Sequence, residues 1–439
     1  ITPPYTVEEL VDNALQNNRE LKGLRTEKQK AGLEIKKAQA GRFPDINLQA
    51  NLSYIANPPT LDIKPGDLGS MQTQMGTIQF PQEKLSVNLG AESTNYEFKL
   101  IVDQPLFTWG KISNAVKLYK HAEEAQGISI LKKENEFRTR INIFVPTLFF
   151  LSEVEELIHQ QKQISERLIS ISEKSYENGF ILYPELLDAR MQAEEVVLAR
   201  DRTAHQRQQI LLELAQLCGL AEIEIAELDF SGVDQGLSRY SPPPEQTLLE
   251  RAAQNNIDLQ LLERNRIISQ QKLAIAKGKH YLKPDVGLHV ELSYSGPRFP
   301  FIETDWYGQD DYNITSTIAI QTKIFDGGEI LSDIHLQQAE IERTAYQFQH
   351  AEYTVKRTVQ ETLLKMELNR SNINYLQRRI ETDRELMELK KMQFESGAGP
   401  ETDYLKSYLN LLANRIRLNQ VKADYIANYY TLRSITNNW

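Results

Sequence analysis

The sequence predicts an internally duplicated α+β membrane protein with four strands per chain and helices far longer than a globular core uses. Three observations carry this. Phrases of the first half return in the second, four segments alternate strictly between apolar and polar residues, and two helical stretches each run for about 65 residues.

The 439-residue chain is long for one core, which favours several domains or one unit built twice. "ALQNN" at 14 to 18 matches "AAQNN" at 252 to 256, and "PDINLQANLSY" at 44 to 54 matches "PDVGLHVELSY" at 284 to 294, offsets of 238 and 240. "PLFTWGKI" at 105 to 112 matches "TKIFDGGEI" at 322 to 330 with Phe107 on Phe325 and Gly110 on Gly328, an offset of 218. The same 218 separates Gly179 in "SYENGFILYPELLDA" from Gly397 in "QFESGAGPETDYLKS". The fall in offset puts about 22 extra residues between Tyr54 and Phe107, in the Pro- and Gly-containing "NPPTLDIKPGDLGSMQ", an expected exposed loop where added length is tolerated. The repeats are 1–230 and 231–439, the second opening on the linker-like 231–246.

Each half has one order of elements. Helices at 7–41 and 245–280 come first, with Leu10, Ala14, Leu21, Leu24 and Leu33 at three-to-four spacing. In the strand at 45–56, Ile46, Leu48, Ala50, Leu52 and Tyr54 alternate with Asn47, Gln49, Asn51 and Ser53. At 285–295, Val286, Leu288, Val290, Leu292 and Tyr294 alternate with Gly287, His289, Glu291 and Ser293. Return strands at 94–107 and 311–325 set Tyr96, Phe98, Leu100 and Val102, then Tyr312, Ile314, Ile318 and Ile320, against Glu97, Lys99, Asp103, Thr315 and Gln321. Long helices follow at 111–177 and 329–395, each roughly 100 Å at 1.5 Å per residue, and helices at 185–217 and 401–435 close the halves. Pro146 predicts a kink in the first long helix, where the second half has Leu364. Tyr404, Leu411, Leu418, Tyr425 and Leu432 recur every seven residues, a coiled-coil spacing.

A half-polar strand taken alone fits a soluble sheet with one wet face. These four are roughly 10 to 12 residues long, enough for a tilted strand to cross hydrocarbon. Tyr54, Tyr96, Trp109, Tyr294, Trp306, Tyr307 and Tyr312 near their ends match a membrane-surface girdle. Lipid tolerates no open sheet edge, so four strands demand oligomerisation, and two, three or four copies give eight, twelve or sixteen strands. A helical span is excluded, since no apolar run reaches roughly 18 residues and the best, "IFVPTLFFL" at 143 to 151, holds a proline. The start "ITPPYTVEEL" lacks a charged segment before an apolar one, as in a mature chain whose signal peptide has been removed.

Composition narrows the chemistry. A formal charge of −10 with no Lys/Arg cluster argues against nucleic acid. Cys218 is alone, the seven His are scattered, and no CxxC or HExxH occurs, so no disulfide, metal, cofactor or catalytic residue is expected. Cys218 reads as a small buried residue. "WGK" at 109 to 111 has the end of a phosphate loop, but Pro105 stands where its first glycine is needed. No enzyme is predicted.

The start "YTVEELVDNALQNNREL", the phrases "QPLFTWGKI" and "IFDGGEI" and the "YENG…LLDA" turn, in this order and duplicated, resemble the TolC-like outer membrane efflux protein family over nearly the whole chain. The resemblance implies a homotrimer in outer membrane lipid, a twelve-stranded barrel continued by a periplasmic twelve-helix tunnel. It further implies small-molecule export with a periplasmic adaptor and an inner-membrane RND or ABC pump; type I protein secretion is a related use. A soluble periplasmic coiled-coil scaffold or adaptor is the competing reading, told apart by detergent-free solubility and lack of conductance. By position, the turns at Gly179, Phe180 and Pro184 and at Gly397 and Pro400 become adaptor-docking tips. Glu185 and Asp403 take the place of gate acids, while Gly399 replaces a basic gate partner and Lys406 a second constriction acid. Asp403 and Lys406 are spaced to pair on one helix face. Both acids are also placed to favour a helix N-terminus through the dipole.

Overall fold

The computed structural model describes residues 4–57, 59–74, 76–88, 94–233, 237–296 and 312–439. The first half runs α1 (Val7–Asn17), α2 (Arg19–Ala40), β1 (Asp45–Tyr54), β2 (Thr60–Ile63), β3 (Ser70–Thr73), β4 (Gly76–Gln79), β5 (Leu85–Asn88), β6 (Thr94–Phe107), α3 (Lys111–Glu177) and α4 (Tyr183–Cys218). Two short 3-10 turns follow, and the second half runs α5 (Glu245–Asn255), α6 (Ile257–Gly278), β7 (Asp285–Gly296), β8 (Tyr312–Gln321), α7 (Glu329–Glu395) and α8 (Glu401–Ile435). Two compact units result, one of Ile1–Gly32, Lys120–Ile268 and Glu340–Trp439, the other of Leu33–Tyr119 and Ser269–Ala339. Each unit draws on both sequence halves.

The helical unit holds two related cores. Leu10, Ala14, Ile141, Leu148, Leu214 and Cys218 are buried in one. At the repeat offsets the other buries Leu248, Ala252, Val359, Met366 and Leu432, and Thr436 is buried beside it. Burying each large apolar side chain contributes about 1.5–3 kcal/mol. Desolvation alone pushes the Cys218 thiol up to about 12, so it packs as an uncharged side chain whose Sγ faces the Leu10 carbonyl at 3.4 Å.

The helices expected over 7–41 and 245–280 are each broken once. Asn18 leaves the helical backbone at φ −60 and ψ 128, and Asn256 does so at φ −62 and ψ 124. Asn18 Oδ1 accepts from the Glu20 and Leu21 N–H groups at 2.9 and 3.3 Å, and Asn256 Oδ1 accepts from Leu259 at 3.1 Å, so each asparagine caps the next helix. Their amides donate to the Leu217 and Ile435 carbonyls at 3.1 and 3.0 Å, tying the break to a helix end about 200 residues away in one case and 179 in the other. The break therefore serves packing between distant segments. Pro146, by contrast, leaves α3 continuous in its helical assignment.

The strand unit is an antiparallel sheet in the order β1-β6-β7-β8. Its register keeps the alternation in phase: Leu48, Leu100, Leu292 and Ile314 form one row across the sheet, and Gln49, Lys99, Ser293 and Asn313 the next. The insert is exposed as expected but is no plain loop, because β2 pairs with β5 and β3 with β4. The strands expected to reach 56 and 325 stop at Tyr54 and Gln321, leaving Phe325 exposed beyond the sheet. Asp326 then starts α7, its carboxylate accepting from the Gly328 and Ile330 N–H groups at 3.0 and 3.1 Å; the Tyr281 hydroxyl, bonded to it, holds it below the usual carboxylate range.

Candidate functional site

The two turns close α3 and α7 with one geometry. Phe180 N–H bonds to Ser175 O at 2.8 Å and Gly179 N–H to Tyr176 O at 2.9 Å; Ala398 and Gly397 repeat this onto Gln393 and Phe394 at 2.8 and 3.0 Å. This is the doubled bond of a Schellman motif, which needs a left-handed residue, and Gly179 and Gly397 both have φ +73. Nothing lies within 4 Å of where a Cβ would project from either glycine, so backbone conformation alone calls for glycine there.

The next helices also start in step. Leu182 and Pro400 are the caps, and Glu185 and Asp403 are each three residues further on. The prolines are not equivalent: Pro184 lies inside the first turn of α4, whereas Pro400 is itself the cap. This decides what each acid does. Glu185 reaches back to the Leu182 N–H at 3.1 Å. Pro400 has no N–H to offer, and Asp403 instead pairs with Lys390 at 3.4 Å. The expected partner Lys406 is exposed and forms no ion pair with Asp403 among the described residues.

Neighbouring contacts fix the base of the turns. Arg167 of α3 grips Glu401 of α8 with two bonds of 2.9 and 3.0 Å, and Arg190 of α4 meets Glu173 of α3 at 2.8 Å. Beneath them Leu168, Ala189 and Leu405 form a small buried cluster. The tip surfaces differ. Phe180 and Leu182 are 81% and 72% exposed, with Met191 and Tyr183 also exposed, whereas the second turn itself presents Ser396 and Ala398, its exposed apolar residues Met392 and Phe394 lying before it on α7. A Cβ on Gly399 would lie 3.3 Å from the Cβ of Gln393, so this corner is tight. Arg167, Lys390, Asn18 and Asn256 were not singled out from sequence, though asparagine before a helix is a cap signal.

The sheet forms the second candidate surface. Its apolar face is uncovered, with Ile46, Leu48, Ile318 and Ile320 all exposed, and β1 and β8 are open edges. The opposite face carries linked charges: Lys99 lies 2.9 Å from Glu97 and 3.6 Å from Glu291, and His289 lies 2.7 Å from Asp103. Of the expected girdle, Tyr54 and Tyr312 are exposed at strand ends, and Tyr294 is half-buried. Tyr96 departs from expectation: only 1% exposed, it lies over Gly296, where a Cβ would fall 2.4 Å from its hydroxyl, and contacts the Phe98 and Tyr294 rings. The missing side chain at Gly296 makes room for that ring. Trp109 is exposed and donates its indole N–H to Pro284 O at 2.7 Å. Trp306 and Tyr307 lie outside the described residues.

Among the described residues no helix is long and apolar enough to cross a membrane, and no cluster of ligand-type side chains could hold a metal ion. The sequence profile described as outer membrane efflux protein matches residues 10–220 and 248–438. Among solved structures, a membrane protein from Pseudomonas aeruginosa superposes with a TM-score of 0.75 at 16% identity over 98% of this chain and 90% of that one. The outer membrane protein VceC from Vibrio cholerae gives 0.74 at 17% identity over 98% and 95%. The CmeC outer membrane channel of Campylobacter jejuni gives 0.73 at 15% identity over 98% and 85%. At these identities the likeness is one of fold. No curated protein sequence matches the chain.

Proposed function

Because the chain belongs to the outer membrane efflux protein family, we propose that three copies form a channel exporting small molecules from the periplasm, or from an inner-membrane pump, to the exterior. The observation that carries this is the four-stranded sheet with an uncovered apolar face and two open edges. In hydrocarbon each unpaired edge group costs several kcal/mol, so such a sheet is stable there only when copies close it into a barrel. Three copies give twelve strands, with the apolar face toward lipid and the face carrying Lys99, Glu97, Glu291 and His289 toward the lumen.

Helix surfaces support the same assembly. Met191, Leu198 and Leu212 of α4, at multiples of seven, are exposed, as are Tyr346, Tyr353, Leu364, Leu368 and Tyr375 of α7. Rows of this spacing suit helix-to-helix contact with further copies in a tunnel. At the tunnel entrance we place Glu185, Asp403, Lys406 and Gly399. Gly179, Phe180, Pro184, Gly397 and Pro400 then belong to the tips that receive a periplasmic adaptor serving an RND or ABC pump. The ion pairs Arg167–Glu401 and Lys390–Asp403 hold α8 against its neighbours in the closed state.

Purified protein inserted into planar bilayers tests this. A detergent-requiring trimer with stepwise conductance is expected. A detergent-free soluble species with no conductance would leave a periplasmic scaffold as the better reading.

A further inference from the structure

One cavity in the helical unit lies apart from the turns and the sheet on which that reading rests. It encloses about 600 Å³ beside the segment joining the halves, and Arg138, Arg239 and Arg433 line it together with Tyr240 and Tyr430. None of the three guanidiniums has a carboxylate partner among the described residues. Arg239 gives one N–H to the Gly232 carbonyl at 3.3 Å, and Arg433 gives its Nε–H to the Asn438 carbonyl at 2.7 Å while lying 5.3 Å from the Trp439 ring centre. Arg138 spends no side-chain donor on any described residue. A guanidinium has five N–H groups in a planar fork, so most of the donors gathered here go to no described residue.

The two rings lie edge to face in the same cavity, their centres 6.1 Å apart. Burial, and next the Tyr240 hydroxyl, push the Tyr430 phenol up to about 12, while Arg433 and Arg239 both pull against that rise. Three acids also line the cavity, and none of them pairs with these guanidiniums among the described residues. Asp229 accepts the Ser231 N–H at 2.9 Å, Glu8 stands in the first turn of α1 where the helix dipole favours it, and Asp12 is exposed to solvent.

We propose that this cavity binds a small ligand bearing two or more carboxylate or phosphate groups, gripped by the forks of Arg138, Arg239 and Arg433. Guanidinium forks match both oxyanions in a bidentate manner, and the Tyr240 and Tyr430 hydroxyls can donate to the oxygens left over. Val7, Val11 and Pro146 supply an apolar wall for a carbon body.

Calorimetry on the full chain in detergent, with citrate and with inorganic pyrophosphate as probes, tests the site. Saturable binding of at least one probe is expected, with a Kd on the order of 1 mM or tighter at low salt, weakening as salt is raised. Arg239→Gln and Arg433→Gln should each weaken it by roughly tenfold or more while single-channel conductance is unchanged. Tighter citrate binding assigns carboxylate as the class, and tighter pyrophosphate binding assigns phosphate. No saturable binding of either probe, or binding that survives both substitutions, overturns the site. So does an oligomer that falls apart on Arg239→Gln while the parent binds neither probe, because a neighbouring copy would then be filling the cavity.

Discussion

The turn at Gly179 and the turn at Gly397 share a backbone and differ in chemistry. Both end a 67-residue helix with the same pair of backbone bonds and the same left-handed glycine, and both place an acid three residues past the next cap. The first then exposes Phe180, Leu182 and Met191 and spends its acid on its own helix start. The second exposes small residues at the turn itself, with Met392 and Phe394 exposed only before it on α7, and spends its acid on Lys390. Duplication has kept the shape, which depends on one glycine and main-chain groups, and released the surface, which depends on side chains. Two such tips offer different surfaces on one backbone.

The largest expected effect breaks that asymmetry directly. If the first tip receives an adaptor through its apolar side chains, Phe180→Glu with Leu182→Glu removes about 1.5–3 kcal/mol per side chain, ten- to a hundredfold each in affinity. Cells carrying the double variant should lose export, measured as drug susceptibility, while the purified protein keeps its oligomeric mass. Ala398→Glu in the second tip should cost much less. Equal loss from both tips would mean that the exposed apolar surface is not what distinguishes them.

Next comes the shared part. Gly179→Ala and Gly397→Ala each force an L side chain into the left-handed region, at about 1–2 kcal/mol, with open space around both. Hydrogen exchange at the Phe180 and Ala398 amides should rise to a similar degree in the two variants, and trimer assembly should survive. A marked difference would show that the turns are not mechanically alike despite equal φ.

How much of this could be read in advance follows from what kind of information each feature carries. Period-two alternation is local and spans whole strands, so Ile46 to Tyr54 and Val286 to Tyr294 were legible, and their sheet rows fall in phase. Glycine at Gly179 and Gly397 was legible because a helix end needs that one residue type. The helix breaks at Asn18 and Asn256 were not, since each depends on a carbonyl about 200 or 179 residues away in sequence. The pairing of Asp403 is not local either: Lys406 is its neighbour along the helix, but Lys390 lies across the turn on α7. Tyr96 looked like a surface girdle residue until its register partner proved to be Gly296. Local patterns specify elements, and partners on other elements decide what a side chain does.

Smaller effects separate the ion pairs at the base of the turns. Arg167 meets Glu401 with two bonds, whereas Lys390 meets Asp403 with one. Exposed pairs contribute about 0–1 kcal/mol, and bidentate geometry favours the upper end. Arg167→Ala should therefore raise the open fraction of single channels more than Lys390→Ala does. The reverse order would place the stronger restraint on α8 at Lys390.

The smallest effect probes the two acids themselves. Glu185→Ala leaves the Leu182 N–H to water and removes a carboxylate from the positive end of α4, at about 0.3–1 kcal/mol, so exchange in the first turn of α4 should quicken. Asp403→Ala loses a similar dipole contribution but uncovers no cap N–H, because Pro400 has none, and the start of α8 should quicken less. Pro400→Ala then supplies the missing donor. With an N–H at the cap, Asp403 gains the bond that Glu185 already makes, and its pairing with Lys390 weakens. Under that substitution Lys390→Ala should change the open fraction less than it does in the parent chain. An undiminished effect of Lys390→Ala would mean that something other than the absent N–H directs Asp403 across the turn.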